Sequence, residues 1–311
     1  MLELIFLGTS ASAPSVARNV TSTMVLYRDH RFLIDAGEGT QRQLLKSGLG
    51  FRRLEHVLIT HSHLDHILGL AGLVSTFSRW DIEQQNMQIF GSRQTLQRVR
   101  DLLLGVVLRG QRGNLWLQFE ELSPGPFFQE GRLQVSAFPV EHRGSDSFGF
   151  LFEETARRPF LNEQAEALGV PFGPIRARLV AGESITLADG RVVSPDEALG
   201  PPEGGTRMAY VGDVDNARAL LDTVRDVDAL VIEATYADED AAMVNSHGHI
   251  TARMAAELAR EANVGALYLN HISRRYHGAE LEAQARSVFP NTTVVRDLDH
   301  IVIKRHTEDK T

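Results

Sequence analysis

The feature that most limits what this chain can be is His61-Ser62-His63-Leu64-Asp65-His66, set directly behind the apolar run Val57-Leu58-Ile59-Thr60. Three imidazoles and a carboxylate within six residues are costly to bury without partners, so the segment does not belong to an apolar core. A turn after a strand aims His61 and His63 at one ion and Asp65 and His66 at a second, two separate sets of metal ligands. Further ligands are expected at other strand ends. His142 follows a strand expected over Leu133–Val140, Asp213 follows Met208–Gly212, and His271 follows Ala266–Asn270. Each alone reads as a hydrogen-bonded surface residue. Together with the cluster, they are expected to converge on one edge of the fold. The other histidines, His30, His56, His247, His277, His300 and His306, show no such pattern, and most read as surface residues.

The donor types restrict the chemistry. With no cysteine in the chain, disulfide scaffolds, iron–sulfur clusters, thiolate zinc sites and cysteine nucleophiles are excluded. Imidazole and carboxylate without thiolate suit Zn²⁺, with Mn²⁺ a plausible substitute. Two such ions about 3.5–4 Å apart clamp both oxygens of an in-line displacement. That is hydrolysis, not redox chemistry.

The length of 311 residues allows one large domain or two ordinary ones. Strands are expected over Leu2–Leu7, Thr23–Tyr27, Arg31–Asp35, Glu55–Thr60 and Leu133–Val140, with helices over Thr40–Leu49, Leu64–Phe77 and Thr95–Leu108. From about Glu153 to Thr206 glycine and proline become dense and long apolar runs disappear, as in a loose insertion or a small protruding element. The rhythm then resumes with strands at Met208–Val211, Ala229–Glu233, Ala266–Asn270, Thr293–Val295 and Ile301–Lys304. Helices fall at Ala217–Val224, Thr251–Glu261 and Glu280–Val288. Two halves with the same order of elements point to a two-lobed sandwich with helices outside.

The amino terminus lacks a basic leader and a long apolar region, so it reads as a first strand rather than a signal peptide. No apolar run approaches the roughly 18 residues of a membrane span, and a soluble, cytoplasmic protein is expected. The net charge of −8 argues against coating nucleic acid through bulk positive charge. The basic residues are nearly all arginine, with only Lys46, Lys304 and Lys310 as lysine. Arginine is the better bidentate reader of phosphate, although coding bias explains the excess as well.

The cluster with its later His, Asp and His resembles the metallo-β-lactamase superfamily, and the chain as a whole resembles the ribonuclease Z family within it. The likeness runs through Phe6-Leu7-Gly8-Thr9-Ser10, the Asp35–Gln43 segment Asp-Ala-Gly-Glu-Gly-Thr-Gln-Arg-Gln, Gly169-Val170-Pro171-Phe172-Gly173-Pro174 and His271-Ile272-Ser273-Arg274-Arg275-Tyr276. The resemblance implies an α/β fold: a single domain over 1–311, an αββα sandwich of two mixed β-sheets flanked by helices. A protruding arm, an RNA-binding exosite, is implied over 153–206.

It also implies two Zn²⁺ per subunit, one held by His61, His63 and His142, the other by Asp65, His66 and His271, with Asp213 between them. Asp35 would orient ligands, and Asp65 would double as the base for the attacking water. His249, oriented by Glu233, would protonate the departing ribose 3′-oxygen; the alternative is that His249 caps the helix starting near Thr251. Arg176, Arg178, Ser273 and Arg275 are the expected substrate-binding residues. The implied substrate is precursor transfer RNA, cut to leave a 3′-hydroxyl on the transfer RNA and a 5′-phosphate on the trailer, and the implied assembly is a homodimer.

Departures from the family pattern stand at Ile232, Ile250 and Ile272, none of which removes a functional group. A fourth is Val16, in the Pro14–Asn19 loop where many relatives carry a basic residue. The 153–206 segment holds five arginines against nine acids, so an RNA contact is expected only at its apical part, where Gly169–Gly182 contains Arg176 and Arg178 and no acid. A metallo-hydrolase acting on a small phosphodiester or ester, and a non-enzymatic RNA scaffold, are the competing readings. The complete ligand set argues against the scaffold, and the arm argues against a small substrate.

Overall fold

In β1 (Leu2–Gly8), Leu2, Leu4 and Phe6 face one layer of the molecule and Ile5 and Leu7 another, by the period of two of an extended chain. All five are buried, because both faces of the strand are covered. The computed structural model describes residues 1–79, 85–110 and 115–306, and side chains throughout these except at 245 and 246.

The first sheet continues with β2 (Ser22–Tyr27), β3 (His30–Ile34), β4 (His56–Leu58), β5 (Gln85–Gly91) and β6 (Leu115–Glu121). The second is built from β7 (Gly125–Glu130), β8 (Leu133–His142) and β9 (Ser145–Glu154). After the short hairpin β10 (Ile185–Thr186) and β11 (Val192–Val193), that sheet resumes with β12 (Arg207–Tyr210), β13 (Ala229–Glu233), β14 (Ala266–Asn270) and β15 (Thr292–Val294). The last strand, β16 (His300–Val302), returns to the first sheet beside β1. The sheet orders are β16-β1-β2-β3-β4-β5-β6 and β15-β14-β13-β12-β9-β8-β7.

Phe6, Phe32, Phe150, Phe152 and Tyr210 fill the space between the sheets. On the outer face of the first sheet lie α1 (Thr40–Lys46), α2 (Leu64–Ile67), α3 (Gly69–Arg79) and α4 (Arg93–Arg100). The αββα sandwich expected for this chain is therefore the architecture observed.

Strand direction puts the site at one edge. β3 to β6 run parallel, as do β12 to β15, and parallel strands present their carboxyl ends together. β8 is antiparallel to β9, which is antiparallel to β12. β8 thus points the same way as β12, and His142 at its end joins the same edge.

Between β9 and β12 the chain forms α5 (Asn162–Ala167), α6 (Pro174–Val180) and α7 (Pro195–Ala198) around the β10–β11 hairpin. Ala165, Val170, Leu179, Ile185, Val193 and Ala198 give this excursion a small core of its own, so it is a packed element rather than a loose insertion. Glu153 and Glu154 pair within the second sheet, which moves its start from 153 to 155. The second sheet's outer face is covered by α9 (Ala252–Glu261) and α10 (Gly278–Arg286), preceded by the single turn α8 (Val244–His247).

Several expectations need correction. The helix over Leu64–Phe77 is two, α2 and α3, because the Gly69 amide turns aside to donate to the Ala36 carbonyl at 2.8 Å. Helix α1 stops at Lys46, two residues before Gly48 at φ 78°, a backbone region that favours glycine. The helix over Thr95–Leu108 starts at Arg93 and widens to π-helical winding over Asp101–Leu108, a run containing Gly105 and the β-branched pair Val106-Val107, poor α-formers. Ala217–Val224 is a 3₁₀ turn confined to Ala217–Leu220. Strands β5, β6, β7, β9, β10 and β11 go beyond those expected. Finally His56 is buried, not at the surface: its ring stacks on Phe32 at 5.0 Å and meets Phe128 edge-on at 5.1 Å.

Candidate metal centre

Every expected ligand lies at or just beyond the carboxyl end of a strand. His61 and His63 follow β4, Asp65 and His66 sit on α2, His142 ends β8, Asp213 follows β12 and His271 follows β14. The fold brings them to one point. Asp213 is the hub: its Oδ1 lies 3.3 Å from His271 Nε2 and 3.4 Å from His66 Nε2, and its Oδ2 lies 3.6 Å from His61 Nε2 and 3.8 Å from His142 Nε2. His63 Nδ1 is 3.4 Å from His142 Nε2.

Ligand atoms of His61, His63, His142 and Asp213 gather within 4.8 Å of one another, and so do those of Asp65, His66 and His271. His61 Nε2, His66 Nε2, His271 Nε2 and Asp213 Oδ1 are buried with no hydrogen-bond partner. Four orphaned polar atoms aimed at one another are costly unless a cation satisfies them. The donor set fits metal ions.

The charges agree. Burial opposes a carboxylate charge on Asp213, but His271, His66 and His61 outweigh it and hold its pKa well below the usual range. Burial likewise opposes charge on His66, yet Asp213, Asp35 and Asp65 override it and push its pKa well above imidazole's range. Burial and then the neighbouring His66 drive His61 far down, and burial lowers His63 and His271 as well. A carboxylate held charged among imidazoles that burial discourages from taking up protons is a setting suited to a bound cation.

The ligands' second nitrogens are held from behind. Asp35 Oδ2 bonds His66 Nδ1 at 2.8 Å and accepts the Thr60 hydroxyl at 2.8 Å, while Asp35 Oδ1 accepts the Thr60 amide. Thr60 Oγ1 lies 3.0 Å from His61 Nδ1, Thr21 Oγ1 lies 2.6 Å from His271 Nδ1, and Asp215 Oδ1 lies 3.1 Å from His142 Nδ1. Such partners set ring orientation and ligand basicity. Sequence reasoning found Asp35 but missed Thr60, Thr21 and Asp215; adjacency to His61 and Asp213 was the signal for two of them, and Thr21 carried none. Asp35 and His271 both adopt φ 55°, a costly conformation for such residues that the surrounding bonds enforce. A Cβ on Gly37 would lie 2.4 Å from the Asp65 carbonyl oxygen, which accounts for glycine in the Asp35–Gln43 segment.

Glu233 ends β13 on the same edge. Its Oε1 lies 3.0 Å from His249 Nδ1, and the His249 ring stands 3.8 Å from Asp213 Oδ2. Burial lowers the His249 pKa, but Glu233 and then Asp213 raise it to about 9. The capping alternative fails on geometry: α9 is capped by Thr251, whose side chain accepts the Met254 amide. A cavity of about 330 Å³ opens on His63, Asp65, Asp213, His249, Ser273 and Arg275.

Arg178 and Arg176 differ. Arg178 is exposed and pairs with Glu183 at 2.9 Å. Arg176 is buried: it donates to Asn162 Oδ1 and to the Val170 and Pro171 carbonyls, and its guanidinium lies 3.9 Å over the Phe172 ring. Its hydrogen-bonding edge is occupied in holding the Gly169–Pro174 loop, which corrects the phosphate contact expected of it.

The chain is 45% identical over 97% of its length to the whole of a ribonuclease Z from Bradyrhizobium diazoefficiens, and 47% identical, again over 97%, to the whole of one from another Bradyrhizobium strain. It belongs to the ribonuclease Z family. Ribonuclease Z of Listeria monocytogenes is 38% identical over 96% of the chain and 98% of its own length. Family profiles match in two pieces, that of the anti-Pycsar protein Apyc1 over residues 2–160 and that of the beta-lactamase superfamily domain over 168–272. The Apyc1 match ends before Asp213, Glu233, His249 and His271, whereas the ribonuclease Z likeness covers 97% of the chain. The human short-form tRNase Z structure has this fold at TM-score 0.67 and 24% identity, covering 97% of this chain and 99% of that one. Among the described residues no helix of this ribonuclease Z family member is long and apolar enough to cross a membrane.

Proposed function

We propose that this chain is a zinc-dependent endoribonuclease that removes 3′ trailers from precursor transfer RNA, leaving a 3′-hydroxyl on the transfer RNA and a 5′-phosphate on the trailer. The observation that carries the reading is His249, held by Glu233 and facing Asp213 beside the gathered ligands. Full-length similarity to ribonuclease Z supports the RNA substrate.

Two ions are inferred, one held by His61, His63 and His142, the other by Asp65, His66 and His271, with Asp213 reaching both. Bound there, zinc would supply Lewis acidity toward the phosphate and would ease the loss of a proton from the attacking water. Asp65 accepts that proton. His249, cationic at neutral pH because of Glu233, donates one to the departing 3′-oxygen, which as an alkoxide needs a positioned acid. Asp35, Thr60, Thr21 and Asp215 keep the ligand rings aimed.

Ser273 and Arg275, which line the cavity, are the inferred phosphate contacts, with Arg178 on the excursion between β9 and β12. That excursion acts as an RNA-binding arm, and in a homodimer one subunit's arm would hold RNA for the other's site. The cytoplasm, where precursor transfer RNA is made in bacteria, is the inferred location.

The test is cleavage of a 3′-extended precursor transfer RNA beside a nitrophenyl phosphodiester. Trailer release with the stated ends supports the reading; hydrolysis of the small ester alone would assign the protein to a small-molecule phosphodiesterase instead.

A further inference from the structure

The loop between β1 and β2 approaches the metal centre with its backbone. The Ser12 amide donates to Asp65 Oδ2 at 2.8 Å, the same oxygen that lies 3.7 Å from His66 Nε2 and 3.9 Å from His271 Nε2. Ser12 has φ 58°, and the Ala13 amide reaches back to the Ala11 carbonyl at 2.6 Å. This is a γ-turn centred on Ser12 in the left-handed sense, a rare and strained conformation for a residue with a Cβ. Nothing in the Ser12 side chain demands it.

The surroundings impose the turn. The Ala11 amide donates to the Ile272 carbonyl, and the Ile272 amide donates to the Thr9 carbonyl, so the loop is laced to the residue after His271. The Thr9 and Ser10 amides both donate to the Asn19 carbonyl at 2.8 Å, and the Ser10 hydroxyl donates to the Ala13 carbonyl at 2.8 Å. The loop is also tied to the far end of the chain: Asp297 accepts the Thr9 hydroxyl, the Asn19 amide and the Gln43 side-chain amide, while Arg18 donates to Thr9 Oγ1 and the Val295 carbonyl. Strain held at an active site by such over-determination is a recurring means of pre-organisation.

We propose that the Ser12 peptide N–H is a positioning group for Asp65. It fixes the rotation of the carboxylate, so that one oxygen stays directed at the metal ligands while the group accepts the proton of the attacking water. The proposal deepens the reading of Asp65 as ligand and base and rests on it. Its action is confined to the nucleophile's side of the reaction. The leaving-group side belongs to His249.

The test removes the Ser12 donor while keeping the side chain, at the cost of a weaker Ala11 carbonyl acceptor. An α-hydroxy acid placed at position 12 by nonsense suppression replaces the Ser12 amide N–H by an ester oxygen in the full-length, metal-loaded protein. Loss of such a partner behind a ligand typically costs about 10–100-fold in activity or metal affinity. The expected result is a kcat lower by that order on both precursor transfer RNA and a nitrophenyl phosphodiester, with KM and zinc content unchanged. Equal loss on the two substrates separates this role from leaving-group protonation. A raised KM on RNA alone would make the loop an RNA contact and overturn the proposal, as would an ester variant with native kcat on both substrates. Zinc loss in place of a kcat change would overturn it too.

Two further variants guard the interpretation. Ser12→Gly keeps the N–H and tolerates the positive φ, so it should retain near-native kcat while the ester does not; equal loss in both would assign the effect to the Ser12 hydroxyl or to loop folding. Asp65→Ala tests the underlying reading. If that variant stays active, the reading of Asp65 fails; if it is inactive while the ester variant is native, only the Ser12 proposal fails.

Discussion

Glu233 bonds His249 across a gap of 16 residues in sequence, Oε1 to Nδ1 at 3.0 Å, and the same Oε1 accepts the Val214 amide at 2.8 Å. Glu233 Oε2 takes the Thr235 hydroxyl at 2.5 Å. One buried carboxylate therefore ties the His249 imidazole to the loop that carries Asp213. Because it is anchored at both oxygens, it orients the imidazole instead of merely neutralising it.

His249→Ala is expected to keep its metal and its RNA affinity while losing about 10²–10⁴-fold in rate on RNA. A nitrophenolate leaves with little need of a proton, so the nitrophenyl phosphodiester should suffer much less. Matching losses on the two substrates would defeat the proton-donor assignment.

Glu233→Gln removes the charge that raises His249 to about 9. If His249 is the acid proposed above, its protonated form is the one that works, so activity is present below its pKa and is lost as pH rises through it. The alkaline limb of the rate profile should move to lower pH in the variant. An unmoved limb would mean that His249 is not the group titrating there.

Asp213→Ala removes the hub on which His61, His66, His142 and His271 converge. Turnover should vanish, and elemental analysis should show loss of at least part of the zinc. Full zinc with a near-native rate would take Asp213 out of the site. Asp35→Ala, which frees the Nδ1 side of His66, should cost a more modest 10–100-fold in metal affinity or activity.

The excursion between β9 and β12 is removable on geometric grounds. β9 and β12 are hydrogen-bonded neighbours, Glu153 pairing with Arg207, so residues 156–204 can be replaced by a short turn. Hydrolysis of the nitrophenyl phosphodiester should survive, since every gathered ligand lies outside the segment, while precursor cleavage falls mainly through a higher KM. Equal loss on both would make the excursion part of the catalytic core.

His56 predicts an acid-sensitive fold away from the metal. Burial lowers its pKa despite the opposing charge of Glu55, so between the folded and unfolded values the unfolded chain binds more protons. Stability then rises with pH and is lost as pH falls below about 6.5, the unfolded value. Urea midpoints of the wild type should drop from pH 7.5 to 5.5 more than those of His56→Phe, which keeps the stack on Phe32 without the titration. Parallel pH dependence in the two proteins would exclude His56 as a cause.

Much of this was legible in residue order alone. The His61–His66 cluster behind an apolar strand, and single His or Asp residues after later strands, announced a metal-dependent hydrolase on a layered α/β fold, because ligand chemistry and strand periodicity are local properties. β13 and β14 fell where the apolar runs placed them, at Ala229–Glu233 and Ala266–Asn270. Edge strand β6 was not among the expected strands, although its burial alternates along its length, with Leu115, Leu117 and Phe119 half-buried between exposed Trp116, Gln118 and Glu120.

What tertiary structure alone decided was which atoms meet. Thr21 supports His271 from 250 residues away, and Asp215 supports His142 from 73. A threonine just ahead of a strand looks like any other until the sheets pack, and the nearness of Asp215 to Asp213 does not say which ring it meets. Arg176 shows the reverse: its position in a glycine–proline segment free of acids suggested a phosphate ligand, yet packing turned its guanidinium onto Asn162, Val170, Pro171 and Phe172. Sequence determined the kinds of ligand and the strands that carry them. Hydrogen-bond geometry and burial depend on neighbours brought together by folding, so only the assembled fold decided how those ligands are aimed and which cations remain exposed.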